Sequence, residues 1–177
     1  WKYYSVLHAS VCGGVDENGE TIEPFGVDYL TEMLNVFDNF VSRTPAQFVS
    51  GSVGNKSYVE MLFEVCQKGV VDDCETTQVA SVKIAACIFE SCPSPSVNNW
   101  LGSFLNLYWS KFTPESSALN RWTFYLLVMM VYYDAAVVSA SAQALGIRDN
   151  LFTSLHKLSK FAKSKDERKA LCIAICG

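Results

Sequence analysis

Apolar side chains recur along this chain at steps of three and four, the spacing that puts them on one face of an α-helix. From Gly26 onward, Val27, Leu30, Met33, Leu34, Phe37, Phe40 and Val41 form such a stripe, with Asp28, Glu32, Asn35 and Asp38 on the wet side. The spacing returns in Tyr58, Met61, Leu62, Val65 and Cys66, then in Val79, Val82, Ala86 and Phe89. It continues in Val97, Trp100, Leu101, Phe104, Leu105, Tyr108 and Phe112, and again in Ile147, Leu151, Leu155 and Leu158. Trp1 to Val11 is apolar but too short for its period to separate helix from strand.

One stretch breaks the amphipathic rule. Between Trp122 and Val138 only Thr123 and Asp134 interrupt an apolar or aromatic run. A helix that is hydrophobic all round is either the buried centre of a bundle or a membrane span. Seventeen residues with an acid inside are short and costly for a bilayer, and the flanking helices have wet faces. The run therefore reads as a core helix.

Local punctuation sets the expected boundaries. Thr44-Pro45 should end the first amphipathic helix, with a Gly/Ser loop running through Gly54. Asp72 and Asp73 offer an N-cap for the helix near Glu75, and Ser96 one for the next. Thr113-Pro114 should open the central helix and Gly146 close it. Ser164 and Glu167 have the spacing of a capping box, which predicts a last helix. The expected fold is all-α: a single globular bundle of about seven or eight helices around one buried hydrophobic helix at about 114–145, with residues 1–177 as one domain. Bundles around one apolar helix include the Bcl-2-like proteins. Where their Asn-Trp-Gly-Arg signature would stand, this chain has Asn120-Arg121-Trp122-Thr123, and we assign it to no family. With no initial Met and an apolar end at Ala170–Gly177, the chain reads as a piece of a longer one.

Charge adds an asymmetry to this picture. The net charge is −4, yet residues 147–177 hold seven of the fourteen Lys and Arg and only three of the eighteen acids. Lys157, Lys160, Lys163, Arg168 and Lys169 belong to that basic tail. A basic helical face meets an acidic protein surface or helix, with nucleic acid or an anionic membrane as weaker alternatives. Seven cysteines, an odd number, sit mostly among apolar neighbours. They favour free thiols and an intracellular, cytoplasmic chain, an extracellular one being the alternative.

Candidate chemistry is sparse. No Walker A, dinucleotide-binding or nucleophile-elbow pattern occurs. Asp134, flanked at helical spacing by Met130, Val131, Val137 and Val138, would need a partner, cap an amide, or have its pKa raised by burial. His8 and Cys12 are four apart and would share a face in a helix, as would Cys172 and Cys176, and the four together have donor types suited to zinc. Packing is the competing role for those thiols, and no cofactor is expected. Trp100, Tyr108 and Trp122, with Asp134, could line an aromatic pocket. We expect a non-enzymatic protein-interaction or scaffold module that uses the basic C-terminal helical surface, a homodimer being one form of that association. The alternatives are a carrier of an apolar small molecule or lipid in an aromatic-lined cavity, and an enzyme using Asp134.

Overall fold

A computed structural model of the chain describes residues 1–15, 19–113, 117–158 and Arg168. The chain is all-α, with eight α-helices and two minimal hairpins among the described residues. It divides into two compact units, Trp1–Cys92 and Pro93–Gly177.

In the first unit, α1 (Lys2–Cys12) resolves the helix-or-strand ambiguity of the opening residues. A hairpin follows, β1 (Gly14–Val15) antiparallel to β2 (Thr21–Ile22), and then a 3-10 turn at Gly26–Tyr29 leads into α2 (Leu30–Arg43). The stretch expected to be a loop contains a helix, α3 (Pro45–Ser50), and a second hairpin, β3 (Ser52–Val53) with β4 (Lys56–Ser57). Thr44-Pro45 does end α2, but Pro45 also occupies the first turn of α3, where its missing N–H costs nothing. Next come α4 (Tyr58–Val70) and α5 (Glu75–Ser91). The Ser57 hydroxyl accepts from the Glu60 N–H and caps α4. At α5 the cap position is Cys74, while Asp72 accepts from the Cys74 amide just upstream.

Helix α5 packs against both α2 and α4, and Leu30, Phe37, Leu62, Ile84 and Ile88 are wholly buried there. The α4–α5 approach is close because Gly69 has no side chain. A methyl group on it would lie 2.5 Å from Leu30 Cδ2 and 2.9 Å from Ser81 Cβ. Beside it the Ser81 hydroxyl donates to the Cys66 carbonyl at 2.9 Å, so the one fully buried hydroxyl at this crossing is satisfied.

The second unit contains α6 (Asn98–Trp109), α7 (Ala118–Ala144) and α8 (Arg148–Leu158), with α7 packed against the other two. Two start signals need correction. Ser96 does not cap α6; its hydroxyl donates to the Pro93 carbonyl instead. The central helix begins at Ala118, with Ser117 as its cap accepting from the Asn120 N–H, rather than at Thr113-Pro114. Thr113 accepts from the Asn120 amide and donates its own N–H to the Asn120 side-chain oxygen, which ties the loop to the first turn. The expected last helix after Ser164 lies outside the described residues.

By length and composition α7 could cross a membrane, but over half of its most apolar window is buried in the protein. It is also broken. At Asp134 the backbone leaves helical geometry (φ −159°, ψ 92°), and the Asp134 carboxylate accepts from the Val137 N–H at 3.0 Å. That is an N-cap for a second helical segment, so the apolar run from Ala118 to Tyr133 rises only about 24 Å, short of a bilayer core.

Gly69→Ala gains helix propensity but must force Leu30 and Ser81 aside in a filled core. A net loss of about 1–2 kcal/mol is expected, read as a lower denaturation midpoint; an unchanged midpoint would show that the crossing is slack. Asp134→Ala should cost about 1 kcal/mol, the usual value of a cap, whereas Asp134→Asn should retain most of it.

Candidate functional site

Tyr4, His8 and Cys12 are spaced by four along α1 and share one face. The Tyr4 hydroxyl donates to the Tyr58 carbonyl at 3.0 Å, at the start of α4. Trp1 stacks on Tyr58 with ring centroids 4.4 Å apart, and Tyr4 meets Phe40 and Tyr58 in tilted or edge contacts. This aromatic cluster anchors α1 lengthwise on α4.

One turn beyond the anchor, His8 is almost buried and its Nε2 lies 2.6 Å from Glu64 Oε2 on α4. A carboxylate only accepts, so Nε2 carries the proton in this contact. The other Glu64 oxygen accepts from Lys56 Nζ, also at 2.6 Å. Burial by itself would raise the Glu64 pKa, but the hydrogen bonds from Lys56 and His8 outweigh it and hold the carboxyl below its ordinary value.

A second turn on, Cys12 brings its sulfur into the same group. Donor atoms of His8, Cys12 and Glu64 all lie within 4.8 Å of one another. The three face a pocket of about 350 Å³ that Gly13, Lys56, Gln67 and Lys68 also line. Burial pushes the Cys12 thiol up to about 11, the Glu64 charge adds to this, and Lys68 and Lys56 oppose it. The thiol form therefore predominates at neutral pH, and the sulfur is a poor nucleophile as it stands.

The structure brings two of the four sequence-derived metal candidates, His8 and Cys12, onto one face, while Cys172 and Cys176 lie outside the described residues. Glu64 was not among the candidates. It is an ordinary polar position beside the apolar stripe of α4, and only the docking of α1 on α4 reveals it.

Of the basic residues, Lys157 and Arg168 are exposed, and Lys160, Lys163 and Lys169 lie outside the described residues. The aromatic candidates spread along the α6–α7 pair. Tyr108 is wholly buried, and Trp100 and Trp122 are partly so. The Tyr133 hydroxyl accepts from the Val97 N–H and donates to the Pro93 carbonyl, and Asn98 donates to Asp134 at 2.9 Å. These bonds fix the start of α6 beside the break in α7, which leaves Trp122 about 18 Å along the helix from Asp134. Asp134 is not a buried acid with a raised pKa. The Val137 amide, and then Asn98, hold its carboxyl below the usual range. Comparison with protein-family models, with curated proteins and with solved structures finds no match to this chain.

No disulfide joins the five described cysteines, and they differ sharply in environment. Cys74 is exposed, and its thiol is drawn down by the Thr76 hydroxyl and the amides at the start of α5. Burial raises Cys92 to about 11 and pushes Cys87 further up, with the Asp38 carboxylate accepting from its thiol. Limited alkylation at neutral pH followed by peptide mapping should therefore label Cys74 well before Cys12, Cys87 or Cys92. Equal labelling of the four would contradict the environments described.

Proposed function

We propose that this chain is a non-enzymatic protein-interaction module whose partner face is the basic C-terminal helical surface, with Lys157, Lys160, Lys163, Arg168 and Lys169 as contacts. The observation that carries the reading is the outer face of α8. Leu151 and Leu155 point into the protein, while Arg148, Phe152 and His156 follow one another at steps of four on the exposed side, with Lys157 next to them. Phe152 keeps 37% of its surface exposed. An aromatic side chain close to Arg148 and Lys157 suits an acidic helix or surface that also offers an apolar contact, the mixture that interface centres favour. The acid an enzyme would have used supports the same reading, because the Asp134 carboxylate caps a helix.

Reversing charge on this face separates recognition from stability. Lys157→Glu combined with Lys160→Glu should abolish capture of the partners that wild-type protein retains at physiological salt, with the thermal midpoint unchanged. Phe152→Ala should weaken the same partners without altering their salt dependence. If the double reversal left every partner in place, the α8 face would not be the contact surface.

A further inference from the structure

We infer that His8, Cys12 and Glu64 form a binding site for a zinc-class divalent metal, with its remaining coordination position open to the adjoining pocket. The site is independent of the α8 face and lies in the other unit.

Three different donors converge there from two helices that the aromatic cluster already holds together. An imidazole, a sulfur and a carboxylate suit zinc, cobalt or iron and exclude magnesium and calcium, which take oxygen ligands. Zinc bound at about 2.0–2.3 Å to each donor in tetrahedral geometry separates the donors by about 3.3–3.8 Å. The donors, all within 4.8 Å of one another, therefore have to close by at most about 1–1.5 Å, while the 2.6 Å His8–Glu64 contact opens by less than that. Side-chain rotation at Cys12, next to the positive-φ Gly13 that ends α1, supplies the movement without shifting either helix. Metal entering between His8 and Glu64 takes the Nε2 lone pair, the imidazole proton then residing on Nδ1, and the Cys12 thiol releases its proton to water on binding.

Lys56 is the internal competitor. Its ammonium holds the second Glu64 oxygen, but it is half-exposed on β4 and can swing into water. Three protein ligands leave one tetrahedral position, and the pocket beyond it presents Gly13, Gln67 and Lys68. Water or an anionic group fits that position.

Cobalt(II) titration of the reduced chain reads the site directly, because thiolate ligation gives an intense sulfur-to-cobalt charge-transfer band. One equivalent should saturate the band, and zinc should abolish it by displacement. Cys12→Ser should remove the band, and His8→Gln or Glu64→Gln should weaken binding by about a hundredfold or more, beyond the cost of an outer contact. Lys56→Met should tighten it by about two- to fivefold, the worth of an exposed ion pair. This variant keeps all three ligands, so its effect is not one of folding. Cys74→Ala should leave the band intact. A band that persists in Cys12→Ser, vanishes in Cys74→Ala, or never forms in the wild type overturns the site.

Discussion

The register of α1 on α4 is the constraint on which the first unit's chemistry depends. Tyr4 is fully buried, and burial also raises its pKa, so its hydroxyl stays protonated and must find an acceptor. It finds the Tyr58 carbonyl, at a point on α4 where the backbone has just entered the helix. From there the geometry of two helices does the rest. Each step of four residues along α1 advances about 6 Å, so His8 and Cys12 arrive in turn where Glu64 projects from α4. Slipping α1 by one residue would rotate the whole face by about 100° and separate all three donors.

Glu64 illustrates how a carboxylate can be placed without being an interaction of stability. It receives one bond from a nearly buried imidazole and one from a half-exposed ammonium. The exposed half of this arrangement contributes little to folding, since a surface ion pair is worth about 0–1 kcal/mol. What the two contacts do is fix the carboxylate's orientation and keep it ionised. Its folded pKa is depressed, so its contribution is present above the unfolded carboxylate range and disappears as pH falls through the folded value. At neutral pH the pocket thus holds a fixed anion, a protonated thiol and two lysines, one on β4 and one on α4.

The helical period made most of the fold legible, because apolar stripes at Leu30–Val41, Tyr58–Cys66 and Leu101–Tyr108 leave few alternatives. Boundaries were less legible for a physical reason. Proline both stops one helix and starts the next, so Pro45 concealed α3. Thr113, Ser116 and Ser117 all have capping side chains, and the donor of Asn120 selects Ser117 through a contact no periodicity encodes. His8 and Cys12 were recoverable as a pair because a shared helix face is a local property. Glu64 was not, since its membership of the site depends on a tertiary crossing between residues 56 apart.

Asp134 shows the same division between local and tertiary information in one residue. An acid in an apolar run has few ways to avoid desolvation: neutralise itself, pair, or change the backbone around it. Here the third outcome prevails. Breaking α7 exposes the amide of Val137 as a donor and turns the carboxylate towards Asn98, while the preceding Tyr133 spends its hydroxyl on Val97 and Pro93. Four hydrogen bonds at the entry to α6 thus take up the Asp134 carboxylate, the Tyr133 hydroxyl and the amides of Val97 and Val137, polar groups that would each be costly inside an apolar crossing. The interruption that makes α7 look like a flawed continuous helix is therefore what joins it to α6, and the apolar residues on either side, Met130 and Val138, remain buried because that joint holds.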